Sequence, residues 1–129
     1  MKKTILTVDD SQDSLEFIET ILENENRVII TAQNGEQCLI KAQEKKPDLI
    51  ILDVQMPKKD GFATFSELKR NPSLKDIPII ILTGIDSQLN MKFSKDDMKK
   101  FYGISPDYYL EKPINPKELA TIVNKIFSS

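Results

Sequence analysis

Four short apolar runs in this chain each stop at polar chemistry, and that pattern narrows the fold more than any other feature. Ile5-Leu6-Thr7-Val8 runs into Asp9-Asp10, and Leu49-Ile50-Ile51-Leu52 into Asp53. Ile79-Ile80-Ile81-Leu82 runs into Thr83, and Tyr108-Tyr109-Leu110-Glu111 into Lys112-Pro113. Strands apolar on nearly every side chain need cover on both faces, so a parallel sheet sandwiched by helices follows. The four endings then lie on one rim. That rim gathers three carboxylates, a hydroxyl and an ammonium from positions more than a hundred residues apart.

Helical patterns alternate with the runs, as in a βα unit repeated five times. The first helix starts near Ser11 or Gln12 and carries Leu15, Ile18, Ile21 and Leu22 on one stripe; Asn24 to Asn26 end it. Val28 to Thr31 read as the second strand, and Asn34 caps a helix through Glu44 with Cys38, Leu39 and Ala42 inward. Pro47 stops that helix and Asp48 leads into the third strand. Met56 to Gly61 read as a rigid loop, followed by a helix through Phe62, Phe65 and Leu68 that closes around Asn71-Pro72. Ile77 to Leu82 are the fourth strand. A lysine-rich helix candidate runs from Ser94 to Tyr102. The last helix has the clearest start: Asn115 as cap, Pro116 in the first turn, Glu118 three residues after the cap, then a stripe of Leu119, Ile122, Val123 and Ile126.

Composition bounds the chemistry. The 129 residues suit one domain over 1–129, and 40% hydrophobic with 29% charged residues is the globular range. A net charge of -2 gives no whole-molecule basis for direct nucleic-acid binding. With no histidine and one cysteine, imidazole ligands, histidine-dependent triads, internal disulfides and cysteine metal clusters are all excluded. Cys38 suits an apolar helix face. No run approaches the ~18 residues of a membrane span, and Met1-Lys2-Lys3 leads straight into a strand instead of an apolar signal segment, so a cytoplasmic setting is expected.

Open parallel sheets bind ligands beyond the carboxyl ends of their strands, which brings Asp9, Asp10 and Asp53 together. Close carboxylates repel unless a cation neutralises them, and an all-oxygen set favours Mg²⁺, with Mn²⁺ as a substitute, over zinc. Taken singly, Asp9-Asp10 could be helix caps and Asp53 a turn residue. Phosphate cradles look different: the loop Asp9-Asp10-Ser11-Gln12-Asp13 would repel a bare phosphate, and neither GxGxxG nor GxxxxGK[ST] occurs.

The ordered set Val8-Asp9-Asp10-Ser11, Leu52-Asp53-Val54-Gln55-Met56-Pro57, Asp60-Gly61, Ile81-Leu82-Thr83-Gly84 and Tyr108-Tyr109-Leu110-Glu111-Lys112-Pro113 resembles the response-regulator receiver domain of two-component signalling. The likeness covers essentially the whole chain. It implies a doubly wound (βα)5 flavodoxin-like sandwich of α/β class, with strand order 2-1-3-4-5. It implies a phosphoryl group taken onto Asp53 from a sensor histidine kinase or a histidine phosphotransfer protein. Mg²⁺ would be held by Asp10, Asp53 and the backbone carbonyl of Gln55, with Asp9 acting through water. Lys112 would supply a fixed positive charge, behind a cis Lys112-Pro113 bond. Thr83 would hydrogen-bond the arriving phosphoryl group, coupled to an inward swing of Tyr109; Tyr108 would point to the other side of the strand.

Two stretches depart from the family pattern. Thr83 to Lys112 is longer than usual, with the excess around Ile85 to Ser94, and Gly103-Ile104-Ser105-Pro106-Asp107 replaces the usual turn before the fifth strand. Gln55 and Ile85 occupy positions that influence acyl-phosphate hydrolysis in the family; apolar Ile85 cannot orient an attacking water, whereas Gln55 can. The reading is a stand-alone signalling switch, not a turnover enzyme, with an unknown downstream protein target. The alternative is a pseudo-receiver that binds its partner independently of phosphate, with Met91, Phe93, Met98 and Phe101 available for contact. An aspartyl-phosphate phosphatase is the third class, but Asp53-Val54-Gln55 lacks the second acid such enzymes use.

Overall fold

The structure is a computed structural model and describes residues 2–53, 61–83 and 108–128. Within them the elements run β1 (Lys3–Val8), α1 (Gln12–Leu22), β2 (Arg27–Ala32), α2 (Gly35–Lys45), β3 (Leu49–Asp53), α3 (Gly61–Arg70), β4 (Ile79–Thr83), β5 (Tyr108–Glu111) and α4 (Pro116–Ser128). The strands form one five-stranded sheet in the order β2-β1-β3-β4-β5, every pair parallel. This is the doubly wound topology the resemblance implied. The loop before α3 and the stretch from Ile85 through the Ser94–Tyr102 helix candidate lie outside the described residues.

Alternation divides the core into two layers. Leu6, Val8, Ile50, Leu52, Ile79 and Ile81 pack with Cys38 and Ala42 of α2 and Phe65 and Leu68 of α3. Ile5, Leu49, Ile51, Ile80, Leu82 and Leu110 pack with Ile18 and Leu22 of α1 and Leu119 and Val123 of α4. Leu39, Ile122 and Ile126 sit half-buried at the margins of these layers. Tyr108 and Tyr109 separate as expected: Tyr108 packs on the α1/α4 layer and Tyr109 on the α2/α3 layer.

The helix starts are local chemistry. Ser11 accepts from the Ser14 N–H at 3.3 Å, Asn34 from Gln37 N–H at 2.9 Å, and Asn115 from Lys117 N–H at 2.9 Å, so each cap satisfies a donor the helix cannot. α2 ends at Lys46, whose φ of 46° is left-handed and whose N–H reaches the Ala42 carbonyl before Pro47. The fourth strand begins at Ile79 and not at Ile77. The Ile77 N–H bonds back to Leu74 O at 3.1 Å, which ties it to the preceding turn, and Pro78 has no N–H to add to a ladder. β2 in turn gains Arg27 and Ala32, the first and last pairs of its register with β1.

Candidate metal centre

Register brings the acids together. The Asp48 N–H donates to Thr4 O and the Thr4 N–H to Asp48 Oδ2, both at 2.8 Å, which pins the residue before β3 beside Thr4 of β1. Ile5 pairs Leu49 and Val8 pairs Leu52, so Asp9 and Asp53 leave the sheet side by side. Both are 1% exposed, whereas Asp10, one residue on, is exposed. One carboxylate oxygen each from Asp9, Asp10 and Asp53 lie within 4.8 Å of one another.

The Asp9 N–H donates to Ala32 O at 3.0 Å, and Asp9 Oδ1 accepts from the Ser11 N–H at 2.9 Å. The second bond is an Asx turn that swings the carboxylate over its own backbone. From the far end of the chain, Lys112 Nζ reaches Asp9 Oδ2 at 3.1 Å and Asp53 Oδ2 at 3.5 Å. The Lys112-Pro113 peptide is cis, as the resemblance implied. Burial alone would lower the Lys112 pKa; the charges of Asp53 and Asp9, with their hydrogen bonds, outweigh it and hold the ammonium above its usual value.

One ammonium does not balance three carboxylates. The buried pair Asp9 and Asp53 repel by roughly 3 kcal/mol at an effective dielectric of about 20. A hard divalent cation relieves that repulsion, and the donors present are all oxygen, so the residues fit such an ion. The side chains of Asp9, Asp10, Asp53 and Lys112 thus meet where the strand endings predict. Thr83 ends β4 level with Glu111, but its side chain, like Gln55, lies outside what is described. Tyr109 is half-buried, with its hydroxyl oxygen inside the protein. Two features escaped the sequence reading. The Ser11 N–H anchor is signalled by the spacing of Asp9 and Ser11, which suits an Asx turn, but the direct Lys112–Asp9 bond has no local signal.

Residues 5–124 match the response regulator receiver domain family. The chain belongs to that family. Over 98% of its length it is 34% identical to the alkaline phosphatase synthesis transcriptional regulatory protein PhoP of Bacillus subtilis, covering 49% of that protein. It is 31% identical to the response regulator Rcp1 of Synechocystis, covering 98% of this chain and 87% of Rcp1. Among solved structures, the chemotaxis response regulator CheY4 of Vibrio cholerae superposes with a TM-score of 0.80 at 26% identity, over 98% of this receiver chain and 99% of CheY4. The receiver spans about half the length of several curated relatives it matches. Receiver domains are the signalling switches of two-component systems. No helix among the described residues is long and apolar enough to cross a membrane.

Proposed function

We propose that the chain is one receiver unit over 1–129 that accepts a phosphoryl group on Asp53 and converts it into a change of protein-interaction surface. The donor is the phosphohistidine of a sensor histidine kinase or histidine phosphotransfer protein, met in the cytoplasm, and the output is a downstream protein contact, with no direct nucleic-acid role. The observation that carries this reading is a buried nucleophile in a charged setting. Asp53 lies at the carboxyl end of the central strand with Lys112 3.5 Å away and the Asp9 and Asp10 carboxylates beside it.

An aspartate carboxylate attacks phosphorus without a neighbouring base. One Asp53 oxygen forms the new O–P bond as the donor's N–P bond breaks, and the imidazole leaves with the electron pair and takes up a proton. Lys112, fixed between Asp9 and Asp53, offers its positive charge to a phosphoryl oxygen. Asp10, Asp53 and the Gln55 carbonyl would hold Mg²⁺ or Mn²⁺, with Asp9 acting through water; when bound, the ion offsets charge on the transferring oxygens. The Thr83 hydroxyl then hydrogen-bonds the phosphoryl group, and Tyr109, already half inside, moves inward to follow it. The chain's own chemistry is confined to its phosphorylation and dephosphorylation, which makes it a switch and not a turnover enzyme.

Incubation with Mg²⁺ and a small acyl-phosphate donor tests this by mass spectrometry. The wild type gains one phosphoryl group, Asp53→Asn gains none, and EDTA abolishes the gain. A wild type that stays at its starting mass leaves the phosphate-independent pseudo-receiver in possession of the field.

A further inference from the structure

One pleat below the acids, the core contains a hydroxyl. Thr7 is 0% exposed, and its Oγ1 has no hydrogen-bond partner among the described residues. Protein interiors pair such groups or supply them with a water, because an unpartnered hydroxyl forfeits the bonds it made to solvent. A valine would fill the same space without that loss.

The position of Thr7 gives the hydroxyl a use. Leu6 and Val8 belong to the α2/α3 layer and Ile5 to the α1/α4 layer, so alternation turns Thr7 toward α1 and α4. Asp9, two residues on, leaves the strand on that same face. Across the sheet Thr7 is level with Ile51, which precedes Asp53 by one pleat on the same face. Thr7 therefore lies beneath the two buried carboxylates. A rise of about 3.3 Å per residue sets its Cα about 6.6 Å from that of Asp9. That is too far for a direct bond at equal side-chain tilt, but two hydrogen bonds of about 2.8 Å meeting at one water span roughly 4.6 Å, which the hydroxyl and the carboxylate reach when each leans along the strand toward the other. Asp9 has capacity for another donor: Oδ1 takes the Ser11 N–H and Oδ2 takes Lys112, and each oxygen carries two lone pairs.

We propose that Thr7 is a positioning residue for the acid site: through one buried water its hydroxyl hydrogen-bonds the Asp9 carboxylate from below and fixes the orientation in which Asp9 holds Lys112 and faces the cation. This deepens the phosphoacceptor reading and rests on it.

Thr7→Val removes the hydroxyl and keeps the shape; Thr7→Ser keeps the hydroxyl and loses a methyl. Mg²⁺ affinity is measured without any phosphodonor, by NMR titration of the backbone amides of Asp9, Asp10 and Asp53, alongside the melting temperature. Thr7→Val is expected to melt at or above the wild-type temperature yet bind Mg²⁺ roughly tenfold more weakly, the scale of losing a partner behind a ligand. Thr7→Ser should melt lower and bind Mg²⁺ close to the wild type. That opposition of stability and affinity is something a purely structural threonine does not produce. Equal affinity in Thr7→Val and wild type overturns the proposal, as does Thr7→Ser weakening in step with Thr7→Val. A wild type that binds no Mg²⁺ and gains no phosphoryl group removes the phosphoacceptor reading and Thr7's role with it; a competent wild type beside an indifferent Thr7→Val removes Thr7 alone.

Discussion

Lys112 is the residue on which the electrostatics of the site turn. Replacing it with Met leaves Asp9 and Asp53 buried without their cation, and we expect a loss of about 1–3 kcal/mol in stability by denaturant titration. The pH dependence has a definite sign. A group whose pKa is raised on folding binds its proton more tightly in the native state, so its contribution is complete below the unfolded value and disappears as pH climbs through the folded one. The gap between wild type and Lys112→Met should stay flat from neutral pH to near 10.5 and narrow above it. Ile85→Glu places an acid two residues past Thr83 that can orient water; a phosphoryl lifetime shorter than wild type is expected, and an unchanged lifetime would refute that role for the position. Asp9, Asp10, Asp53 and Lys112 were legible as a group because each follows an apolar run. The ion pair between Asp9 and Lys112 was not, since nothing local in either segment encodes a partner across 103 positions.

The elements were legible where the backbone's own needs dictate residue type. Ser11, Asn34 and Asn115 are side-chain acceptors placed at the one position where free N–H groups require them, and all three cap. Asn115→Ala should cost about 1 kcal/mol, read as a lower melting temperature, because α4 carries the buried Leu119 and Val123. Lys46 offers the opposite experiment. Its left-handed φ of 46° brings the Cβ against the carbonyl, so Lys46→Gly should gain stability of about 1 kcal/mol, measured by denaturant midpoint. Strand limits were less legible. The run from Ile77 looks uniformly strand-like, yet the start of β4 is decided by a hydrogen bond from Ile77 back to Leu74, a competition that apolar periodicity does not register. Cys38 belongs at this scale too: burial in α2 pushes its thiol up to about 12, so alkylation should report unfolding and leave the native protein untouched.

At the scale of the whole molecule, two core layers and one charged rim follow from a single sheet whose side chains alternate. The rim is where stability and ligation are linked. An ion that binds only the folded state adds about 2.7 kcal/mol at a hundredfold excess over its Kd, so Mg²⁺ should raise the melting temperature and EDTA should cancel the rise. Asp10→Asn and Asp53→Asn should melt alike with and without the ion. The division of labour along the chain has a temporal side. Asp9 is synthesised 103 residues before Lys112, and the two are 3.1 Å apart once folded. During translation the early strands expose their acids without the Lys112 counter-charge, and that ammonium reaches them only after β5 has cleared the ribosome and docked. A chain halted before β5 therefore holds its two buried acids without the ammonium that braces them, and the rim becomes whole only when the last strand joins the sheet.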